Sequence, residues 1–181
     1  MEKVSAPLAE RMRPHRLEDM VGQEHVLGPG CPLIRALESG RIFSVIFWGP
    51  PGSGKTTLAR LMGEYSRLPF HAFSAVTSGI KDLRRIIETA GNLKADTGRS
   101  SLLFVDEIHR FNKAQQDAFL PHVESGLIIL VGATTQNPSF EVIAPLLSRA
   151  RVITLKSLEK KAVKTILSRA LKDGEHGFGS L

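Results

Sequence analysis

Residues 49 to 56 read GPPGSGKT and carry the clearest chemical signal in the sequence. The pattern G-x-x-x-x-G-K-[ST] is typical of a loop that surrounds phosphate groups. Its glycines have no Cβ atom, so backbone N–H groups can turn inward around phosphate oxygens. Lys55 would place its charge at the β- and γ-phosphates of a nucleotide, and the Thr56 hydroxyl can bind Mg²⁺. The pattern predicts a nucleotide-binding loop formed by Gly49, Pro50, Pro51, Gly52, Ser53, Gly54, Lys55, Thr56 and Thr57.

Two adjacent carboxylates, Asp106 and Glu107, end the apolar run in SLLFVDEIHRF (101–111). Three interpretations are open: a metal site shared with His109, a solvated turn, or the second half of a nucleotide site. A metal site would need further ligands at suitable spacing, and the six histidines of the chain form no such cluster. In a nucleotide site, Asp106 would orient Mg²⁺, commonly through its water shell. Glu107 would accept a proton from an attacking water or orient that water.

Polar residues also follow a third apolar run, in LIILVGATTQNPSF (127–140). Thr134, Thr135, Gln136 and Asn137 offer side chains that can hydrogen-bond a γ-phosphate or the attacking water. The alternative is a polar turn before the proline. In LLSRARVITL (146–155), the residues alone show only two arginines near the start of a strand.

Five apolar runs separated by helical patterns would place these segments in one site. Apolar character on both faces is typical of strands buried in a parallel sheet, and apolar positions three and four apart indicate amphipathic helices. The alternation predicts a doubly wound α/β domain with a five-stranded parallel sheet and helices on both faces. The predicted strands are 42–48, 70–75, 101–106, 126–133 and 151–155. The predicted helices are 55–67, 79–94 and 112–125. In such a sheet, ligands bind beyond the carboxyl ends of the strands.

Three regions are expected along the chain. Residues 1–40 carry four prolines and predict a strap with short helices around LEDMVGQEHVL and LIRALESG. Residues 41–156 form the nucleotide-binding core. Residues 157–174 predict one further helix, and the final residues to 181 form a loop.

Composition narrows the classes of protein. The chain has 181 residues, which fits one domain or one domain with a small appendage. Its single cysteine, Cys31, excludes an intramolecular disulfide and favours a reducing compartment. No apolar run reaches the roughly 18 residues of a membrane span, so no membrane partner is expected. A net charge of +6 permits binding to a polyanion.

The segments GPPGSGKTTLAR, LLFVDEIHRFNKAQQDAFLPHVESG, GATTQNPSF and LLSRARV together resemble the AAA+ ATPase family of replication-associated recombination protein A. Its eukaryotic relatives are the Mgs-type and Werner-helicase-interacting ATPases. The resemblance spans about residues 5 to 160, including PLAERMRPHRLEDMVGQEHVLGPG, and SAVTSGIKDLR looks bacterial. Gln136 stands where this family usually has Glu, and we expect a tuning effect there.

The resemblance implies a P-loop ATPase similar to clamp loaders, hydrolysing ATP with Mg²⁺ at subunit interfaces. Such proteins act on stalled or gapped replication forks and recombination intermediates. The implied partners are DNA with single-stranded ends, gaps or forks, single-strand-binding protein, and further copies of the chain in a homo-oligomer, expected to be a tetramer at full length. The implied location is the bacterial cytoplasm, associated with the nucleoid.

The resemblance also assigns roles to individual residues. Thr135 matches the sensor-1 position, and Ser74 matches a polar residue that can restrain the catalytic glutamate until DNA is bound. Arg149 matches the arginine finger that completes a neighbouring subunit's site. Val21 and Gly22 match contacts near the adenine.

The same resemblance implies an interaction surface, and it implies a helical lid that is expected to be largely absent here. HRFNKAQQD offers a surface for DNA or a neighbouring subunit, with a solvated helix start as the alternative; its residues are His109, Arg110, Asn112 and Lys113. The family continues with a helical lid that carries a sensor-2 arginine. Residues 157–181 hold at most the first lid helix, so the lid is expected to be largely absent and this chain alone weakly active or inactive.

Two other classes of function also use a phosphate loop. A P-loop kinase or nucleotidase usually lacks an adjacent glutamate after the Mg²⁺ carboxylate. A non-hydrolysing, nucleotide-gated scaffold would not need Glu107, Thr135 and Arg149 together. Both interpretations are therefore less favoured than an ATPase.

Overall fold

A five-stranded parallel sheet forms the centre of the computed structural model, which describes residues 6–75 and 79–179. The strand order is β2-β3-β4-β1-β5. The strands are β1 Val45–Trp48, β2 Phe70–Ser74, β3 Ser101–Asp106, β4 Ile128–Thr134 and β5 Arg151–Thr154. All four neighbouring pairs are parallel. The predicted doubly wound α/β fold is confirmed.

Burial differs between the centre and the edges of the sheet. Nearly every residue of β1, β3 and β4 is buried, because elements cover both faces. The edge strand β5 exposes three of its four residues, although its sequence resembles that of the central strands. Apolar runs therefore identified the five strands without distinguishing edge from centre.

Ten α-helices surround the sheet in the described residues. They are α1 Leu8–Arg11, α2 Glu24–Leu27, α3 Pro32–Ser39, α4 Lys55–Ser66, α5 Ile80–Thr97, α6 Lys113–Asp117, α7 Leu120–Glu124, α8 Pro138–Glu141, α9 Ala144–Leu147 and α10 Lys160–Lys172. Short 3₁₀ helices span Leu17–Asp19 and Ile108–Arg110. None of these helices is long and apolar enough to cross a lipid bilayer.

One predicted helix is two helices in the structure. The segment 112–125 divides into α6 and α7, which are separated by Ala118 and Phe119. Pro121 has no N–H group to bond to the carbonyl of Asp117, so a continuous helix cannot form through it. The last predicted helix begins at Lys160 rather than at residue 157. The start of the predicted strap, the centre of SAVTSG and the last residues of the predicted final loop lie outside the described residues.

Alternation along β1 divides the core between the two faces of the sheet. Val45 and Phe47 point to one face, where they pack with Leu58 and Met62 of α4. Ile46 points to the other face and joins a cluster that includes Leu103, Ile108 and Phe119. Both faces of the sheet are thus covered. Because the strands are parallel, their C-terminal ends all lie on one side of the sheet.

Candidate active site

The loop between β1 and α4 has a backbone that requires glycine. Gly54 has φ +97°, in the left-handed region, and a Cβ atom there would lie 2.9 Å from Cε of Met20. A Cβ atom at Gly49 would lie 2.5 Å from the carbonyl oxygen of Leu155. The sequence pattern therefore corresponds to a closely packed turn with its backbone turned toward the start of α4.

Lys55 closes this loop from within. Its Nζ atom donates to the carbonyl oxygens of Gly49, at 2.7 Å, and Pro50, at 2.9 Å. Burial lowers the pKa of Lys55, and the nearby charges of Glu107 and Asp106 oppose that shift. The ammonium group is thus bonded to the loop and lies near enough to both carboxylates for their charges to act on its pKa.

A cavity of about 410 Å³ opens beside the loop. Ser53 is buried there, and its Oγ atom has no hydrogen-bond partner among the described residues. Unpaired buried hydroxyl groups are rare in proteins, and this one lies in a loop that precedes the N-terminus of a 12-residue helix, α4. Helix N-termini favour anions, so the donors present fit a polyphosphate.

The strand register brings the carboxylates to the same edge of the sheet. Ser74 of β2 lies opposite Asp106 of β3, and Trp48 of β1 lies opposite Thr134 of β4. Since β4 lies between β3 and β1, Asp106 and the loop after Trp48 flank one crevice. Burial raises the pKa of Asp106, and the charge of Glu107 raises it further.

Asp106 and Thr56 supply the hard oxygen ligands that Mg²⁺ prefers. A cation between them would also offset the burial that raises the pKa of Asp106. In the described part of the chain, no three His, Cys, Asp or Glu residues gather into a metal-binding group. The structure therefore gives no support to a metal centre at His109.

Glu107 has an unusual backbone conformation. Its φ and ψ are 53° and 50°, in the left-handed region that non-glycine residues rarely adopt. Thr135 Oγ1 donates to Glu107 Oε2 at 3.4 Å, and His109 Nδ1 lies 3.2 Å from the same oxygen. The carboxylate is thus linked to the residue predicted as sensor 1. Strained backbone conformations of this kind occur often at active sites.

In the segment after β4, one polar side chain caps a helix and another is exposed to solvent. Asn137 accepts a hydrogen bond from the backbone N–H of Ser139 and begins α8. Gln136 donates its backbone N–H to Thr134 Oγ1 at 3.0 Å, while its side chain is exposed. The position at which the sequence departs from the family pattern therefore faces solvent in this chain.

The two residues predicted to lie near the adenine, Val21 and Gly22, have different surroundings. Val21 lines the cavity. Gly22 has φ +78°, and a Cβ atom there would lie 2.8 Å from Cδ2 of Leu158, just before α10, and 3.3 Å from Cβ of Ala162, within α10. Gly22 therefore permits the strap to approach the segment that leads into α10.

Gln23, which sequence reasoning did not single out, joins the strap to the phosphate loop. The residue is buried, and its Nε2 atom donates to the carbonyls of Ser53, at 3.1 Å, and Lys156, at 2.8 Å. Its Oε1 atom accepts from the N–H of Lys156 at 3.1 Å. Gln23 directly follows Val21 and Gly22 in the sequence. That adjacency is the sequence feature that could have identified Gln23 as part of the site.

Two arginines beside the cavity were also missed. Arg13 Nη1 donates to Thr57 Oγ1 at 3.0 Å, and Arg169 of α10 donates to the carbonyl of Asp19 at 2.6 Å. Glu10 pairs with both Arg13 and Arg60, and these hydrogen bonds lower the pKa of Glu10 to about 2. No local pattern identifies these residues, because their partners lie far along the chain.

Arg149 lies away from the other predicted catalytic residues of its own chain. It lies two residues before β5, beside the N-terminal ends of the parallel strands. The phosphate loop lies beside their C-terminal ends. Its Nη2 atom lies 2.5 Å from Glu124 Oε1. Arg151, by contrast, stacks over the ring of Phe43 at 4.5 Å, which accounts for it structurally.

The predicted surface around HRFNKAQQD divides into two parts. Arg110 and Lys113 are exposed. Asn112 caps α6 by accepting from the backbone N–H of Gln115 at 2.9 Å. His109 is mostly buried and faces Glu107. Only part of this segment is therefore available to a partner.

The chain was compared with known proteins. The model of the ATPase family associated with various cellular activities (AAA) matches residues 45–158. The chain is 53% identical over 173 residues to replication-associated recombination protein A of Escherichia coli K12, covering 96% of this chain and 38% of that protein. It is 48% identical over 172 residues to the ATPase WRNIP1 of Dictyostelium discoideum, covering 94% and 19%. It therefore spans less than half the length of these relatives.

A solved structure gives a similar result for the fold. The RuvB Holliday junction branch migration motor of Thermotoga maritima superimposes with a TM-score of 0.71 and 31% sequence identity. The superposition covers 90% of this chain and 54% of that one. The sheet and its surrounding helices are thus shared with a protein that is a motor on DNA junctions.

Proposed function

The chain belongs to the AAA family of ATPases, in the group of replication-associated recombination protein A, and from this premise we propose that it binds ATP with Mg²⁺ and hydrolyses it at interfaces between copies of the chain. We propose further that DNA controls this hydrolysis. The observation that carries the proposal is the position of the Glu107 carboxylate, which Thr135 and His109 hold beside the phosphate loop.

The phosphate loop and the strap would bind the nucleotide. Backbone N–H groups between Gly52 and Thr57 would surround the phosphates, and the Ser53 hydroxyl and Lys55 ammonium would supply further donors. The adenine and ribose occupy the cavity lined by Val21, with Gly22 keeping the strap close to α10. Thr56 and Asp106 would hold Mg²⁺, which neutralises charge on the phosphate oxygens when bound.

Glu107 would act on the water that attacks the γ-phosphorus. As the new phosphorus–oxygen bond forms, Glu107 accepts a proton from the water, and the bond from phosphorus to the bridging β–γ oxygen breaks. ADP and inorganic phosphate are the products. Thr135 orients Glu107 and the water, and Ser74 restrains Glu107 until DNA is bound.

A second copy of the chain would complete the site. Arg149 lies at the opposite end of the strands from Glu107, which supports a role at a neighbour's nucleotide rather than at its own. Its guanidinium would neutralise charge on the transferred phosphoryl group. The assembly is proposed to be a tetramer at full length.

The proposed effector is DNA at stalled or gapped forks and in recombination intermediates. Two similarities support it: the relative in E. coli is named for replication-associated recombination, and RuvB of T. maritima is a branch migration motor. The net charge of +6 favours a polyanion. Single-strand-binding protein is the proposed protein partner, and Arg110 and Lys113 offer exposed charge for either contact.

Phosphate release by the full-length protein tests this function directly. It should be measured with and without forked DNA, with Glu107→Gln as the inactive control. Release that rises with DNA and disappears in Glu107→Gln supports the proposal. A nucleotide that binds without release indicates a scaffold, and transfer of phosphate to an acceptor other than water indicates a kinase.

A further inference from the structure

His109 contacts both sides of the candidate active site. It lies in the 3₁₀ helix Ile108–Arg110 that follows β3, and its side chain is 15% exposed. Its Nδ1 atom lies 3.2 Å from Glu107 Oε2 and 2.9 Å from Thr134 Oγ1. One imidazole nitrogen therefore bridges the carboxylate after β3 and the hydroxyl at the end of β4.

Thr134 is one of the two neighbours of His109 Nδ1. Thr134 is fully buried. Its Oγ1 atom accepts from the backbone N–H of Gln136 at 3.0 Å and donates its one proton to the carbonyl of Gln136 at 3.2 Å. Nδ1 has a second neighbour, since it also lies 3.2 Å from Glu107 Oε2. A carboxylate oxygen only accepts hydrogen bonds, so this approach favours the tautomer in which Nδ1 carries the hydrogen, with Thr134 Oγ1 as its acceptor.

The backbone of Glu107 makes such a contact useful. At φ 53° its side chain leaves the chain in a direction that ordinary strand or helix geometry does not supply. The hydrogen bond from Thr135 to Oε2 is long, at 3.4 Å, so it fixes the carboxylate weakly. His109 provides the shorter contact, and its own ring is held by a buried hydroxyl.

We propose that His109 is a positioning residue for ATP hydrolysis: its ring, hydrogen-bonded through Nδ1 to Thr134 Oγ1, lies 3.2 Å from Glu107 Oε2 and so fixes the carboxylate relative to the Thr134–Gln136 turn that carries Thr135. This inference rests on the proposed function. With Oε2 bonded by Thr135 and next to His109, Oε1 would be the oxygen left for the attacking water. His109 itself touches neither nucleotide nor water.

Three substitutions separate the donor from the bulk of the ring. Asn places an amide N–H near the position of Nδ1, Gln reaches instead to the position of Nε2, and Ala removes both. We expect His109→Ala and His109→Gln to lower kcat by roughly tenfold to a hundredfold, since small misplacements of a catalytic group cost this much. His109→Asn should recover most of the loss. Affinity for ATP and KM should stay within about twofold, because no nucleotide contact changes.

His122→Ala, in α7, is the matched control and should hydrolyse ATP as the wild type does. The inference is overturned if Asn is no better than Ala, if Gln recovers activity as well as Asn, or if KM rises while kcat is unchanged. Equal loss in all three variants would mean that the ring only fills space.

A measurement without ATP separates this inference from the proposed function. Urea unfolding of the wild type, His109→Ala, Glu107→Ala and the double variant forms a thermodynamic cycle, since each single substitution removes one side of the contact. We expect coupling of about threefold or more in the unfolding equilibrium constant. Additive effects would contradict the contact. A wild-type protein that releases no phosphate would overturn the proposed function, and the contact would then stand or fall with the cycle.

Discussion

Lys55 Nζ lies 2.7 Å from the carbonyl oxygen of Gly49, so the last residues of the phosphate loop are tied directly to its first. A second bond to Pro50, at 2.9 Å, holds the same turn. The lysine thus holds the loop together, in addition to the role proposed for it as a phosphate ligand. Because it is buried, its removal leaves these carbonyls without a donor.

Replacing Lys55 with Ala should weaken ATP binding at least tenfold, or about 1.4 kcal/mol. The charge facing the β- and γ-phosphates is lost, and the loop loses two hydrogen bonds. Titration with a fluorescent ATP analogue measures the change. Lys81→Ala, at an exposed position of α5, serves as the control. Unchanged affinity in Lys55→Ala would show that the loop does not hold phosphate.

Glu107→Gln should leave ATP binding intact and lower turnover roughly a hundredfold or more. Gln keeps the size of the side chain and can still accept from Thr135 and His109, but it cannot take up the proton of the attacking water. The comparison needs phosphate release and ATP titration on the same full-length preparation. Turnover near that of the wild type would rule out Glu107 as the proton acceptor.

The sheet was predictable because each strand is a local apolar run. Helix division at Pro121 and the exposure of β5 were not predicted, although the proline was visible in the sequence. Whether an apolar strand lies at an edge depends on which strands pair with it. That information is spread over the whole chain and is absent from any single segment.

The candidate active site also has a part that local sequence motifs predict and a part that they do not. The phosphate loop and the pair Asp106–Glu107 are contiguous motifs, so their chemistry could be predicted from spacing. Arg13 and Arg169 meet partners 44 and 150 residues away, and no local pattern encodes such contacts. The inward direction of His109 depends on the left-handed backbone of Glu107, which sequence reasoning did not expect in a non-glycine residue.

That backbone conformation gives a test of stability. Glu107→Gly should be more stable than Glu107→Ala by about 1 kcal/mol, because a left-handed conformation costs roughly that much when a Cβ atom is present. Both variants lose the carboxylate and its contacts, so the difference isolates the backbone. Urea unfolding measures it. Equal stability of the two variants would contradict the left-handed geometry at this position.

Glu10 should make the protein sensitive to acid. The pKa of Glu10 is lowered from 4.5 to about 2 by Arg13 and Arg60, so its contribution to stability is present above pH 4.5 and is lost as the pH falls toward 2. Glu10→Gln should therefore unfold at lower urea than the wild type near neutral pH. The difference should shrink across that acidic range.

The matched control is Glu18→Gln, at an exposed position of the strap. Its urea midpoint should follow that of the wild type at every pH, since the structure gives Glu18 no ion pair within the described residues. A difference for Glu10→Gln that persists unchanged at the acid end would show that charge pairing with Arg13 and Arg60 is not its cause.

Arg149→Ala should abolish most ATP hydrolysis while leaving nucleotide binding intact. In GTPases, a guanidinium that neutralises the transferred phosphoryl group contributes roughly 10³ to 10⁵ in rate, and a smaller factor is expected here. The ion pair with Glu124 is partly exposed and contributes only about 0 to 1 kcal/mol, so its loss should not unfold the chain. Glu124→Gln breaks the same pair, keeps the arginine and should retain most activity.

Mixing Arg149→Ala with Lys55→Ala full-length protein tests whether the arginine acts between subunits. Each variant alone should be nearly inactive, since one lacks the interfacial charge and the other lacks a working phosphate loop. In a mixed oligomer, the intact loop of an Arg149→Ala subunit can lie beside the intact arginine of a Lys55→Ala subunit, so part of the phosphate release should return. Subunit exchange is verified by labelling the two variants differently. If exchange occurs and no activity returns, Arg149 does not act across the interface and the interfacial site must be abandoned.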